Sequence, residues 1–208
     1  MDVDISYYDK FSKVYDWLSP KWYYHNARNY AVQQLQLKQG QTVLNLPCGT
    51  GQNFEYFQKY LNETGLIIGI DLSDGMRKKA ENKIAKNEWQ NIQIYKGEAT
   101  QINTEWVATN LPTSVKVDAV LCDLGLSGFP QWKMIIDNLL ELLKPNGLLI
   151  IMDWYLPEPT LQGDFIKWIG GGEVNRPIYQ YLETKVADFS VNTSFNRGGV
   201  FVATGIKK

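Results

Sequence analysis

From residue 42 onward, short runs rich in β-branched and other apolar residues alternate with longer stretches of mixed polarity. Thr42–Leu46, Gly65–Asp71, Asn91–Lys96, Val117–Cys122 and Gly147–Trp154 read as strands, with later ones near Val186–Phe195 and Val200–Ile206. Asn53–Leu61, Asp74–Lys86 and Gln131–Leu143 have helical length and composition. Such alternation implies right-handed crossovers and a mostly parallel sheet covered on both faces. Only Asn196-Arg197-Gly198-Gly199 separates the last two strands. That turn is too short for a crossover, so the pair is expected to be antiparallel.

The pattern differs ahead of residue 42. Ile5, Tyr8, Phe11, Tyr15 and Leu18 step by three or four, which places a largely aromatic stripe on one helical face. Ser19-Pro20 supplies an N-cap and a first-turn proline for a second helix through about Leu37, ended by Gly40. Nine of the 27 aromatic residues fall in the first 30 positions, about twice an even share. The expected organisation is an N-terminal helical lid over residues 1–38 and an α/β domain over 39–208.

Length and composition narrow the class. The chain has 208 residues, more than one ordinary domain and less than two. Hydrophobic residues make up 44% and charged residues 21%, which fits a soluble globular protein rather than a disordered or coiled-coil chain. The net charge of −1 provides no basic excess to attract nucleic acid. No apolar run approaches the ~20 residues that span a bilayer, and the start Met1-Asp2-Val3-Asp4 is acidic rather than signal-like. A cytoplasmic protein without a transmembrane segment is therefore expected, with peripheral membrane contact left open and no basis for an oligomeric state. Cys48 and Cys122 cannot form a disulfide framework, and there is no Cys/His cluster for a metal.

Val43-Leu44-Asn45-Leu46-Pro47-Cys48-Gly49-Thr50-Gly51 is a strand that runs into a glycine loop at the start of a helix. In an open parallel sheet such a loop lets backbone approach a ligand lying outside the carboxyl ends of the strands. The third glycine of the dinucleotide fingerprint is missing, since Phe54 stands there, so a bound pyrophosphate is disfavoured. The next strand ends at Asp71, twenty residues after Gly51, where a carboxylate can accept both hydroxyls of an unphosphorylated ribose. Its other role there would be to cap the following helix, which Ser73 can already supply.

Taken in order, these residues resemble the class I S-adenosylmethionine-dependent methyltransferases. Asn45-Leu46-Pro47-Cys48-Gly49-Thr50-Gly51 is similar to motif I, and Gly69-Ile70-Asp71-Leu72-Ser73 with Met76 to the ribose-binding segment. Gly97-Glu98-Ala99 resembles the turn beside the adenine, Val117–Cys122 motif IV, and Leu142-Leu143-Lys144-Pro145-Asn146-Gly147 the turn before strand five. The resemblance covers about residues 42–155. It implies a Rossmann-like fold with a seven-stranded, mostly parallel sheet and an antiparallel last strand, and S-adenosylmethionine as cofactor. Carried over residue by residue, Tyr15, Asn45, Cys48, Gly49, Gly51, Asp71, Leu72, Met76, Glu98, Ala99 and Cys122 are its expected contacts. Asn45 replaces the Asp that the family usually directs at the cofactor's ammonium group, and Pro47 replaces the first glycine of the loop.

Methyl transfer from a sulfonium is a direct displacement in which the protein mainly aligns the reacting atoms. His25, the only histidine, could take the acceptor's proton, and Asp123 and Asp153, at the ends of strands four and five, are further candidates. Tyr8-Asp9-Lys10-Phe11 with Tyr15-Asp16 resembles the entry of quinone C-methyltransferases, whereas the segment from Gly170 onward looks closer to phospholipid and betaine-lipid N-methyltransferases. A small, partly apolar acceptor is implied: an amine first, a quinol or phenol as the alternative. A nucleic-acid methyltransferase is disfavoured because Asp123-Leu124-Gly125 stands where an Asn-Pro-Pro-Tyr-like motif would stack a flipped base. A non-catalytic cofactor-binding module and an NAD-dependent reductase are the readings from other classes.

Overall fold

The computed structural model describes residues 21–111, 116–160, 163–164 and 172–208. Its seven strands are β1 (Thr42–Asn45), β2 (Leu66–Asp71), β3 (Ile92–Lys96), β4 (Val117–Asp123), β5 (Leu143–Trp154), β6 (Val186–Phe195) and β7 (Val200–Lys207). They form one sheet in the order β3-β2-β1-β4-β5-β7-β6. β1 to β5 pair in parallel, and β7 lies antiparallel to both β5 and β6. This is the Rossmann-like class I methyltransferase fold that the sequence implied. The strand order reverses at β1, which has β2 on one side and β4 on the other, and β1 leads directly into the glycine loop.

Alternation along the central strands fills two cores. On β4, Val120 and Cys122 face one side while Ala119 and Leu121 face the other; on β5, Leu149 and Ile151 oppose Ile150 and Met152. One face is covered by α4 (Thr104–Asn110), α5 (Trp132–Leu142) and α6 (Ile178–Lys185), the other by α1 (Lys21–Gln34), α2 (Phe54–Leu61) and α3 (Asp74–Lys86). A strand buried on both faces needs apolar residues at successive positions, which is why β4 and β5 read as near-continuous apolar runs.

The second helical segment is described from Lys21 onward. Ala27, Ala31 and Val32 of α1 are at most 1% exposed and share a core with β5 and β7, so this part of the segment packs on the sheet. The aromatic stripe Ile5–Leu18, Tyr15 within it, and the capping pair Ser19-Pro20 lie outside the described residues. So do Gly170 and Gly171; Gly172 is described and packs on Ser127.

Beyond shifts of a single residue, two boundaries and one helix differ from what was expected. α1 stops at Gln34 rather than about Leu37, because Gln36 takes a positive φ of 49° that no helix continues through. α5 passes at Leu143 straight into β5, four residues earlier than the expected Gly147. The register against β4 jumps there, from Val117 opposite Leu143 to Ala119 opposite Leu148. Lys144-Pro145-Asn146 bulges outward, with Asn146 at φ 62° and Lys144 Nζ 2.8 Å from Asp118 Oδ1. α4 was not anticipated; it is only seven residues long, started by Asn103, whose side chain accepts the Trp106 N–H at 2.9 Å.

Candidate functional site

At the carboxyl ends of β1, β2 and β4 the glycine loop forms the floor of the site. Leu46 N donates to Leu121 O, and Cys48 N donates to Ile70 O at 2.9 Å, so the loop leaves the sheet still tied to both neighbours of β1. Gly49 and Gly51 have φ of 53° and 69°, values that favour glycine. A Cβ on Gly49 would meet nothing within 4 Å, whereas one on Gly51 would lie 2.5 Å from the Phe54 ring. Gly49 therefore borders open space, and Gly51 lets the first helical turn close. The Pro47 ring packs on Gly125 in the loop after β4, where a Cβ would lie 2.5 Å from it.

Asp71 ends β2 at 8% exposure. Its Oδ2 accepts the Gly49 N–H at 2.8 Å and its Oδ1 the Ser73 N–H at 3.0 Å, so it braces the loop to the start of α3. Ser73 also caps α3 by accepting the Met76 N–H. Burial pushes the Asp71 carboxyl above the usual range, opposed by these backbone donors. Each oxygen retains acceptor capacity for a ligand hydroxyl. Leu72 is half-buried and Met76 buried beside it. Across β3, Glu98 is half-buried and accepts the Thr100 hydroxyl at 2.7 Å, with Ala99 buried next to it. Cys48 and Cys122 belong to cores on opposite faces, and burial pushes both thiols well up. A disulfide between them is precluded by that placement.

Beneath the loop lies a buried polar cluster that the sequence reading only partly anticipated. Asp123 Oδ2 accepts Arg28 Nε–H at 2.9 Å and Asn53 Nδ2–H at 2.8 Å, and Arg28 also donates to Gln52 Oε1. Asn53 Nδ2 lies 3.2 Å from Asn45 Oδ1, while Asn45 Nδ2 donates to Leu121 O at 3.2 Å. Arg28, Asn45 and Asn53 are at most 2% exposed, and Gln52 and Asp123 7%. Two oxygens in this cluster, Asn53 Oδ1 and Asp123 Oδ1, have no hydrogen-bond partner. Buried acceptors of this kind are costly unless something fills them. Asn53 precedes α2 without using its side chain as a cap: its Nδ2 is held by Asn45 and Asp123, and its Oδ1 accepts no hydrogen bond. Asn45 and Asp123 were expected in the site; Arg28, Gln52 and Asn53 were not. The signal for Arg28 was its place in the stripe Tyr24, Ala27, Arg28, Ala31, Val32, where a charge on an apolar helix face requires a partner.

His25, one turn before Arg28 on α1, places Nδ1 2.8 Å from the hydroxyl of Tyr56 on α2. Tyr56 is 2% exposed; burial pushes its hydroxyl up, while Arg28 pulls it down. Tyr23 stacks on Trp154 at 6.5 Å, and Tyr24 meets Trp154 edge-on, forming an aromatic wall between α1 and the end of β5. Asp153 is fully buried and turned toward the loop after β4: it accepts the Ser127 N–H and hydroxyl at 2.9 Å each, and the Trp154 N–H at 2.7 Å. Burial raises its carboxyl to about 6. No His/Cys/Asp/Glu group suited to a metal occurs among the described residues, and no described helix is long and apolar enough to cross a membrane.

Comparison with known proteins bears on the family and the fold. Curated relatives include demethylmenaquinone methyltransferases from Desulfitobacterium hafniense, 28% identical over 65% of this chain and 50% of that protein, and from Staphylococcus carnosus, 26% identical over 74% and 57%. The chain thus spans about half the length of the curated relatives it matches. Among solved structures, a SAM-dependent methyltransferase from Aquifex aeolicus superposes over the whole of both chains with a TM-score of 0.70 at 22% identity. Phosphoethanolamine N-methyltransferase 2 from Haemonchus contortus gives 0.71 at 13%, over 95% of this chain and 60% of that one. The model of the methyltransferase domain matches residues 37–175, from the strand before the glycine loop to beyond the buried Asp153, and the chain belongs to this methyltransferase domain family.

Proposed function

We propose that the protein is an S-adenosylmethionine-dependent methyltransferase acting on a small, partly apolar acceptor, of the quinol or phenol type. The observation that carries the reading is the site at the carboxyl ends of β1, β2 and β4, where the open side of Gly49, the Asp71 carboxylate and two unpartnered acceptor oxygens lie together. These residues fit an adenosine joined to an amino acid: Asp71 suits the ribose hydroxyls, Leu72, Met76, Glu98 and Ala99 the adenine side, and the buried polar cluster the charged tail. When bound, the cofactor supplies an electrophilic methyl group.

The chain's own residues then bind, orient and exclude water. Tyr23, half-buried and stacked on the buried Trp154, offers an apolar face for a ring. His25, exposed on α1 with Nδ1 beside the Tyr56 hydroxyl, is a group able to take a phenolic proton. Asp153 is committed to three donors and holds the loop after β4 rather than a ligand. The names of the curated relatives support the quinol or phenol class over the amine, which remains the second reading because an aromatic wall also suits a cationic group. The test is incubation with methyl-labelled cofactor and panels of quinols, phenols and amines. Label transfer to a quinol or phenol is expected. Transfer to amines alone would replace the acceptor class, and a rise in thermal stability with NAD but not with S-adenosylmethionine would overturn the cofactor.

A further inference from the structure

We propose that β3 pairs with the β3 of a second copy of this chain, antiparallel and centred on Ile94, so that one sheet runs through both molecules. The sheet has two edge strands, β3 and β6. β6 is blunted: its register against β7 shifts twice, and Asp188 within it has φ 47°. β3 is not. Its register against β2 is unbroken from Ile92 to Lys96, and it contains no proline and no charge before Lys96. Asn91 O accepts the Ile67 N–H and Gly97 N donates to Asp71 O, so the odd-numbered residues of this parallel ladder face β2. The N–H and C=O groups of Ile92, Ile94 and Lys96 point the other way, and no described residue pairs with them.

Beside this edge α3 leaves a groove of about 760 Å³, lined by Ile84, Trp89, Ile92 and Ile94 and by two exposed acids, Glu81 and Glu88. Acids along an apolar groove call for a cation. β3 carries one at its far end, Lys96, whose partner Asp74 is exposed with Nζ 3.2 Å from Oδ1, and such surface pairs are worth little. A two-fold axis at Ile94 sets Ile92 of each copy opposite Lys96 of the other, and facing side chains of an antiparallel pair share a face. Each Lys96 thus enters the other copy's acidic groove beside Trp89, and Ile94 meets Ile94 at the axis. On the opposite face Gln93 lies across from Tyr95. Within one chain the Tyr95 hydroxyl already donates to Gln93 Oε1 at 2.7 Å, and the same donor and acceptor meet across the axis. This register alone uses all three outward residues of both copies, and it matches backbone, apolar and charged groups together.

Sedimentation velocity on the full chain from about 1 to 100 μM tests the pairing, and hydrogen exchange locates it. A monomer–dimer equilibrium is expected, with the Ile92, Ile94 and Lys96 amides slowing as dimer accumulates. Lys96→Glu in one variant, and Glu81→Lys with Glu88→Lys in another, should each raise the dissociation constant at least about ten-fold, because both contacts then join like charges. Mixed one to one, the two variants should regain the wild-type affinity, since every contact of the mixed dimer again joins opposite charges. Within one chain, extended β3 holds Lys96 about 13 Å from Ile92, so no exchange inside a single molecule produces that rescue. A wild-type chain that stays monomeric throughout overturns the proposal and leaves the groove to a strand of some other protein. A dimer whose three amides exchange as fast as in the monomer overturns it too, independently of how the variants fold. A mixture as weak as its separate variants, both folded by circular dichroism, rules out this register.

Discussion

Ser127 gives both of its donors, backbone N–H and hydroxyl, to the Asp153 carboxylate at 2.9 Å, joining the loop after β4 to the end of β5. Burial outweighs these donors and raises Asp153 to about 6, against 3.8 ordinarily. Between those values the folded chain holds a proton that the unfolded chain has released. Stability is therefore favoured below about pH 4 and falls as pH rises toward 6. A shift of about two units corresponds to about 3 kcal/mol. Asp153→Asn should lose this slope, while Asp71, shifted in the same direction, contributes equally to both proteins. Urea unfolding across that window checks it; parallel curves for the two proteins would refute the assignment.

If His25 is the acceptor's base, His25→Ala should lower kcat by roughly 10²-fold with little change in cofactor affinity. Tyr56→Phe removes the hydroxyl 2.8 Å from Nδ1 and should lower kcat less. Rates within a few-fold of wild type at every pH, for both variants, would leave positioning alone as the mechanism.

Asp71→Ala should reduce affinity for S-adenosylmethionine about ten-fold or more, since charge-assisted hydrogen bonds are worth roughly 1.5–3 kcal/mol each. It also removes the brace on Gly49 and Ser73, so the melting temperature should fall in parallel. An unchanged dissociation constant in calorimetry would remove Asp71 from the site.

The two loop glycines should respond differently to alanine. At Gly51 the new Cβ would lie 2.5 Å from Phe54, itself fully buried, so folding stability should fall by about 1–3 kcal/mol. At Gly49 the Cβ would enter open space at φ 53°, costing roughly 1–2 kcal/mol of backbone strain but blocking close approach of a ligand. Denaturant titration and calorimetry on both variants separate the effects: Gly51→Ala should lose mainly stability, and Gly49→Ala mainly affinity.

All seven strands, the antiparallel end of the sheet and the glycine loop were legible because each depends on local pattern: alternation, turn length, glycine placement. Asp71 was legible for the same reason, as a carboxylate at the end of a recognisable strand. The buried cluster was not. Arg28 and Asp123 are 95 residues apart in sequence, and Asn53 reads only as the start of a helix until its amide is found on Asn45 and Asp123. Tyr56 was hidden in the same way, as one more aromatic in an apolar helix, since only the packing of α1 on α2 sets it against His25. The early start of β5 was missed because its pairing with Val117 is made by Leu143, before a bulge that carries the turn residues expected to open the strand.

The register of α1 has a consequence for how the chain can change length. His25 meets α2, Arg28 meets the end of β4, and Ala31 sits in the core, so a single helix reads three levels of the molecule at three-residue steps. One residue inserted between His25 and Arg28 would turn everything before it by about 100° and swing His25 off Tyr56. The same insertion in the connection that follows, among the exposed residues Lys38, Gln39 and Gly40, would be absorbed without turning the helix. Length variation among relatives should therefore gather in that connection and spare the turn of α1 that holds both side chains.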